Sequence, residues 1–286
     1  MSSNRLVLGA ALCSLGLSMG CSAAPADFDS SDLGETSQAL TNTETLVAFR
    51  TVDGSHYLTV EGDGGSTISA DRTRIQAWER FIIFDLDGGS LLSGDRIQIR
   101  HVSAAGESFW LTADSNGGGP GSVLRANRSL PQGWETFIVT QAGGGVVTGG
   151  SRVSLRAVTR PFYVSAERGG GLAGDGAVTV NRTVARDWEM FTLLFVTPAE
   201  LCPYSDTLCL FEKANFGGAR FNVRALDPST GTCADLSDHA VRARSAVNTN
   251  SRTARLFPNA DCTGHGIGIS GLEPTLPLLP NGAFVF

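Results

Sequence analysis

Three short stretches of the sequence, YLTVE, WLTAD and YVSAE, place an aromatic residue, a hydroxyl residue and a carboxylate at alternate positions. Alternate residues of a β-strand share one face. An outward face of this kind can hold a sugar, because the ring stacks on the apolar C–H face while the carboxylate accepts hydrogen bonds from hydroxyls. The candidate ligand-binding residues are Tyr57, Glu61, Trp110, Asp114, Tyr163 and Glu167. A structural alternative stays open, in which neighbouring arginines and loop amides satisfy these polar groups.

Catalytic and cofactor motifs are not found in the sequence. The histidines form no His-Glu-x-x-His pair, and there is no Gly-x-Ser-x-Gly elbow. A glycosidase needs an acid and a base in unlike environments, whereas the repeated carboxylates look equivalent. The glycine-rich stretches GGGLAG and GIGISG match a dinucleotide fingerprint, but no helix follows either of them. We therefore predict a protein that is not an enzyme and that binds no cofactor and no metal.

A longer phrase occurs three times, as DRTRIQAWERF, NRSLPQGWETF and NRTVARDWEMF, with its tryptophans spaced by 56 and then 54 residues. We predict a structural role for it, with the arginine and glutamate of each copy meeting across a turn; ligand contact is the alternative, and an exposed tryptophan would be the better candidate for it. Its defining residues are Arg72, Trp78, Glu79, Arg128, Trp134, Glu135, Arg182, Trp188 and Glu189.

Each copy of the phrase belongs to a unit of four short strands with alternating patterning, and three units fill residues 46–196. The final strand of each unit is expected to send one face into the core, the face that carries Phe81, Phe137 or Phe191. A propeller needs more than three blades. The sequence therefore predicts an all-β protein whose larger domain is a β-trefoil, a six-stranded barrel capped by three hairpins.

The repeats also resemble a known family. Their arginine, Tyr-Leu-x-x-Glu, triple-glycine, Asn-Arg and Trp-Glu-x-Phe elements are similar to the fascin-like β-trefoil over residues 46–196. The Gln-x-Trp elements of the first two copies echo ricin-type lectin trefoils, but the third copy reads Arg-Asp-Trp, which favours the fascin-like branch. The resemblance implies the fold; actin bundling would follow from the family name alone.

Four cysteines lie in the last part of the chain: Cys202, Cys209, Cys233 and Cys262. An even number in an exported chain indicates two disulfides, for which three pairings are open. A zinc site is the alternative, but the spacings match no common ligand pattern.

The stretch CPYSDTLCLFEKANFGGARF resembles the opening of βγ-crystallin-like modules, including the secreted bacterial metalloproteinase inhibitors, and a weaker copy begins at ARLFPNADC. The resemblance implies a small disulfide-bonded Greek-key sandwich over residues 202–286, with 197–201 as a linker. Crystallin-type calcium binding is not expected, because Val241 and Arg242 stand where that site has an acidic pair.

The first residues have the character of an export signal. A short apolar run follows Arg5 and ends in SMGC, which resembles a lipoprotein lipobox with Cys21 as the lipidated residue. Ordinary signal-peptidase cleavage near CSAAPA is the alternative. We predict a signal peptide over 1–20 and a flexible acidic tether over 21–45.

The formal charge of -6 disfavours nucleic acid as a partner. The leading hypothesis is a binding protein exported to the cell envelope or secreted, contacting the membrane only through a lipid anchor, whose trefoil recognises a polysaccharide or glycan. Two alternatives remain: inhibition of an exported protease by the C-terminal module, and a structural role in the cell envelope.

Lipidation at Cys21 is directly testable. Metabolic labelling with a palmitate analogue should mark the wild-type protein and not the Cys21→Ser variant, because the lipid is attached through that thiol. Label retained on the variant would contradict this prediction.

Overall fold

The computed structural model describes residues 45–171, 176–227, 229–237, 242–277 and 280–285. The predicted signal peptide, Cys21 and nearly all of the tether lie outside these residues. Within the described ranges, no helix has the length and apolar character needed to cross a membrane.

Residues 45–195 form three repeats of four strands each, as the sequence predicts. The first repeat contains β1 (Thr45–Arg50), β2 (Tyr57–Val60), β3 (Ser66–Arg72) and β4 (Phe81–Asp85). The second contains β5 (Arg96–Val102), β6 (Ser108–Ala113), β7 (Leu124–Arg128) and β8 (Thr136–Gln141). The third contains β9 (Arg152–Ala157), β10 (Tyr163–Ala166), β11 (Val178–Arg182) and β12 (Phe191–Phe195).

The first and fourth strands of the repeats close into a six-stranded barrel. Going round the ring, β1 pairs with β4, β4 with β5, β5 with β8, β8 with β9, β9 with β12, and β12 again with β1. The second and third strands of each repeat form the hairpins β2–β3, β6–β7 and β10–β11. A closed ring with three hairpins is a β-trefoil, and the predicted fold class is confirmed.

The barrel interior is built from the alternate residues of these strands. Phe81, Phe137 and Phe191 open the fourth strands and are fully buried, together with Phe49 from β1. The Phe49 ring centroid lies 5.8 Å from that of Phe81 and 6.5 Å from that of Phe191. Period-2 patterning therefore placed the core side chains correctly.

The glycine-rich loops between the second and third strands pack each repeat against the next one. Gly64 has φ +131 and Gly118 has φ +114, which are conformations that L side chains rarely adopt. A Cβ atom at Gly64 would overlap the ring of Phe109, and one at Gly118 would lie 3.0 Å from the Cβ of Phe162. These glycines allow the hairpin of one repeat to pack directly against an aromatic residue of the following repeat.

Residues 207–285 form two four-stranded sheets. The strands are β13 (Thr207–Phe211), β14 (Arg220–Arg224), β15 (Thr232–Asp235), β16 (Ser245–Asn248), β17 (Ala254–Phe257), β18 (Ile267–Ile269), β19 (Leu272–Glu273) and β20 (Gly282–Val285). One sheet has the order β14-β13-β16-β19 and the other β15-β20-β17-β18. Each consecutive group of four strands thus gives its third strand to the sheet of the other group. This exchange is the Greek-key arrangement predicted from the two sequence motifs.

The predicted linker is a single helical turn, Pro198–Leu201, capped by Thr197. Leu201 is buried in an apolar cluster that contains Leu46, Ile82 and Val102 of the trefoil and Phe211 and Phe216 of the C-terminal module. The two modules therefore share a hydrophobic interface.

Arg80 is the polar centre of this interface. Its Nη1 atom donates to the carbonyl oxygens of Asn215 and Phe216 at 3.0 and 3.1 Å, and the Asn215 side chain donates to the carbonyl of Ala77. Burial lowers the pKa of Arg80 to about 10. Charge-assisted hydrogen bonds of this kind offset part of the cost of burying a charged group.

The packing role of the loops predicts different costs at two neighbouring glycines. Gly64→Ala should lower the free energy of unfolding by roughly 2–5 kcal/mol, from backbone strain together with the overlap on Phe109. Gly65→Ala is the matched control, since Gly65 also has positive φ but no atom lies within 4 Å of the added Cβ. It should cost about 1–2 kcal/mol. Equal costs in urea melts would show that the loops do not hold the repeats together.

Candidate functional site

The face predicted to bind a sugar is mostly covered in the folded protein. Tyr57 is 3% exposed, and Trp110 and Tyr163 are half-buried. The hydroxyl residues Thr59, Thr112 and Ser165, expected on the same outward face, are buried. The prediction of an open outward face is therefore wrong. The physical reason is that the Trp-Glu turn of each repeat packs over the second strand of that repeat.

The carboxylates of this face are already bound within the protein. Glu61 accepts from the hydroxyl of Ser69 at 2.5 Å and lies 3.4 Å from Arg72. Glu167 accepts from Arg182 at 2.6 Å and from Thr179 at 2.7 Å. The structural alternative from the sequence thus describes the geometry of these groups better than a sugar site does.

Asp114 shows the same behaviour in the second repeat. It accepts from the backbone amide of Ser115 at 2.9 Å and from Nε of Arg125 at 2.8 Å. The Ser115 amide and the Arg125 guanidinium hold the pKa of the Asp114 carboxyl below its usual range. The aromatic residue of this repeat, Trp110, packs on Phe84 with ring centroids 5.1 Å apart, and the Arg100 guanidinium lies 5.9 Å from its ring.

The glutamate of each Trp-Glu phrase is a buried cap. Glu79, Glu135 and Glu189 are each 3% exposed and end the 3-10 turns Ala77–Glu79, Gly133–Glu135 and Asp187–Glu189. Their Oε2 atoms accept from the backbone amides three residues earlier at 2.7, 2.8 and 2.8 Å. Burial raises the pKa of Glu79, although hydrogen bonds from Gln76 and Thr59 oppose that shift. The carboxylate therefore closes the turn from within.

The arginine of each phrase lies over the tryptophan more than against the glutamate. The guanidinium carbon is 5.9, 5.9 and 5.8 Å from the ring centroid in the three repeats. The expected contact with glutamate is 4.0 Å for Arg128–Glu135 and for Arg182–Glu189, and the described ion pairs include none between Arg72 and Glu79. The tryptophans lie outside the core: Trp78 and Trp134 are half-buried and Trp188 is 40% exposed. The phenylalanine two residues after each glutamate occupies the core instead.

The four tail cysteines form two disulfides. Cys202 pairs with Cys209 and Cys233 pairs with Cys262, with sequence separations of 7 and 29 residues. The first disulfide is buried at the interface with the trefoil. The second joins β15 to the turn after β17, and Cys233 is exposed. No group of three His, Cys, Asp or Glu side chains suited to a metal is present in the described part of the chain.

The loop between β14 and β15 presents the most exposed large apolar side chain of the described residues, Leu226 at 92%. The amide of Leu226 donates to Oγ1 of Thr232 at 3.0 Å, and the carboxylate of Asp227 accepts from the amide and hydroxyl of Ser229 at 2.9 and 2.7 Å. The Ser229 hydroxyl and amide hold the pKa of Asp227 below its usual range. Leu226 is not among the residues predicted from the sequence; its signal there is a leucine inside the turn-forming stretch Ala-Leu-Asp-Pro-Ser-Thr-Gly.

Another exposed loop is closed by the disulfide between Cys202 and Cys209. It carries Tyr204, which is 49% exposed. The carbonyl of Tyr204 accepts from the hydroxyl of Thr249 at 2.6 Å, and the Arg220 guanidinium lies 5.4 Å from its ring.

The sequence model of peptidase inhibitor family I36 matches residues 197–269, from the helical turn to the end of β18. The C-terminal module is thus similar to that family, in agreement with the resemblance found in its cysteine and Asn-Phe-Gly-Gly motifs. No curated protein is significantly similar to the sequence.

Several solved structures are similar to part of the chain. The SDF2-like protein from Arabidopsis thaliana has 12% identity and a TM-score of 0.43, over 55% of this chain and 94% of that one. The designed threefold-symmetric protein ThreeFoil has 13% identity and a TM-score of 0.40, over 53% and 99%. A lectin from Polyporus squamosus, solved with the glycan Neu5Aca2-6Galb1-4GlcNAc, has 12% identity and a TM-score of 0.41, over 55% and 51%. Similarity at this level gives no information on a ligand of the present chain.

The two disulfides should differ in their response to a mild reductant. Cys233–Cys262 should open first, because Cys233 is exposed whereas Cys202 and Cys209 are buried. Loss of Cys233–Cys262 should lower the free energy of unfolding of the module by about 3.5 kcal/mol. Loss of Cys202–Cys209, which closes a shorter loop, should lower it by roughly 2.5 kcal/mol. Alkylation followed by peptide mass mapping over a reduction time course measures the order. Simultaneous labelling of all four thiols would contradict the predicted order of reduction.

Proposed function

We propose that this protein is an exported, non-enzymatic peptidase inhibitor that acts through its C-terminal module. The observation that carries the proposal is the match of residues 197–269 to peptidase inhibitor family I36. Two disulfides and the exchanged-strand sandwich support it, because inhibitors gain affinity from loops that are ordered before the target binds. The disulfides also favour a location outside the reducing cytoplasm. Export by the signal peptide and a lipid at Cys21 belong to the same proposal.

The loop carrying Leu226 is the contact surface that we assign to this function. A peptidase binds one side chain of its inhibitor in a specificity pocket, so the inhibitor must present that side chain free of its own fold. Leu226 is 92% exposed, while the backbone beside it is fixed by Thr232 and by the Asp227 turn. Thr232 starts β15, in which Cys233 is held to Cys262. Burial of Leu226 in a target pocket would therefore require little reordering of the backbone at Leu226 and Asp227.

Sugar binding by the predicted face is less well supported than peptidase inhibition. Its carboxylates are bound by Arg72, Arg125 and Arg182, and its hydroxyls are buried. A purely structural role in the envelope would leave the exposure of Leu226 unexplained.

Inhibition should be measured with the exported chain against purified metallo-, serine and cysteine peptidases, metallopeptidases first. The wild type should inhibit at least one class. Leu226→Asp should raise the inhibition constant about 30-fold, since truncating an anchor residue of an interface costs about 2 kcal/mol or more.

Leu130→Asp is the matched control, because Leu130 is an exposed leucine on the trefoil, at 74%. It should leave the inhibition constant unchanged. Absence of inhibition toward all three classes would overturn the proposed function. Inhibition that Leu226→Asp leaves intact would keep the function and move the contact surface to the Tyr204 loop.

A further inference from the structure

A depression of about 470 Å³ lies on the third repeat, between the end of β11 and the turn Asp187–Glu189. Thr183, Val184, Arg186 and Asp187 surround it, and Trp188 forms one wall. A smaller depression of about 320 Å³ lies at the corresponding place of the first repeat, beside Trp78. Since the two are related by the internal threefold repeat, the folding of the Trp-Glu phrase itself creates the hollow.

The wall of the third-repeat depression is an aromatic ring held in a fixed position. The Trp188 side chain is the most exposed of the three repeat tryptophans, at 40%. The Arg182 guanidinium lies over its ring at 5.8 Å and is itself fixed by Glu167 at 2.6 Å. Val184, 59% exposed, extends the apolar surface beside the ring. A ligand would therefore meet a preordered apolar surface.

Hydrogen-bond donors and acceptors lie at the rim of the depression. The Asp187 side chain is 85% exposed, and its nearest cation, Nη2 of Arg152, is 3.8 Å away. Arg186 is exposed and is in none of the ion pairs of the described residues. Thr183 adds an exposed hydroxyl. A hydrogen-bond acceptor and several donors thus flank an aromatic ring.

Only the third of the three repeats combines these features. The residues before the tryptophan are Gln-Ala in the first copy, Gln-Gly in the second and Arg-Asp in the third. In the first repeat, the C-terminal module contacts the turn through the hydrogen bond from Asn215 to Ala77. In the second, Gly133 stands in place of Asp187 and its carbonyl accepts from Thr159 at 3.0 Å. The departure from the repeat pattern coincides with the most exposed tryptophan.

We infer that this depression is a carbohydrate-binding site, with a pyranose unit of a polysaccharide as its ligand. The C–H face of the sugar stacks on Trp188, its hydroxyls donate to Asp187, and Arg186 and Thr183 donate to its oxygens. A single shallow site of this kind is weak. Its apparent affinity, counted per ligand molecule, is higher for a repeating polymer, because each polymer molecule offers many equivalent units. The site is independent of the inhibitory function and lies on the other module.

The test is affinity electrophoresis and calorimetry of the exported chain with soluble polysaccharides: laminarin, xylan and dextran as neutral polymers, and alginate as an acidic one. Binding to at least one neutral polymer is expected, with the matching monosaccharide at least 10-fold weaker. Trp188→Ala should reduce the affinity at least 10-fold. The double variant Arg186→Gln and Asp187→Gly gives the third turn the Gln-Gly-Trp-Glu sequence of the second turn. This sequence forms the same turn in the second repeat, so the double variant should fold. It should also reduce the affinity at least 10-fold.

Gln132→Ala is the control at the equivalent position of the second repeat and should leave the affinity unchanged. Peptidase inhibition should be the same in all these variants, which separates this site from the proposed inhibitory function. No binding to any polymer would overturn the proposal, as would unchanged affinity in the double variant. Binding to alginate alone that salt abolishes and Trp188→Ala preserves would show charge attraction by the arginines and would equally overturn it.

Discussion

The buried carboxylate of each Trp-Glu turn is the interaction on which the trefoil surface depends. A carboxylate that is 3% exposed must be hydrogen-bonded, and Glu79, Glu135 and Glu189 each accept from the backbone at the start of their own turn. The hydroxyl of Ser165, on the neighbouring strand, donates to Glu189 at 2.6 Å. This arrangement holds the turn over the second strand. It hides the hydroxyls of that strand and keeps the tryptophan at the surface.

The same constraint explains why one repeated phrase has different outcomes in the three repeats. The glutamate and the following phenylalanine are fixed by burial and leave no room for variation. Most of the residues between the arginine and the tryptophan are exposed, so they can vary with little cost to the fold. In the first repeat these outer residues meet the C-terminal module, and in the third they form a charged rim around Trp188. Function can therefore be added at one repeat while the barrel stays symmetric.

The C-terminal module is packed on the trefoil and does not merely follow it along the chain. Apolar side chains from both modules meet around Leu201, and Arg80 of the trefoil donates to the carbonyls of Asn215 and Phe216. The Asn-Phe-Gly-Gly motif, read in the sequence as a fold-forming element of the module, also supplies this contact. Because Asn215 and Phe216 adopt positive φ, the turn directs its carbonyl groups toward the trefoil. A shared interface of this kind fixes the orientation of the C-terminal module relative to the trefoil.

Periodicity alone determined much of this protein. The alternation of apolar residues and the threefold phrase gave the number of strands, the trefoil and the identity of the core phenylalanines, because side chains in a strand point to alternate faces whatever their surroundings. The cysteine count gave two disulfides, but three pairings were compatible with it. Which thiols lie together depends on how β15 crosses to the second sheet.

The sequence pattern also placed Tyr57 and Thr59 on an outward face, and there it failed. Alternation says that a face exists but not what packs on it, and only the tertiary structure showed a turn from the same repeat covering that face. The exposure of Trp188 and Leu226 was likewise decided by the tertiary structure, because it depends on which parts of the fold pack beside each side chain.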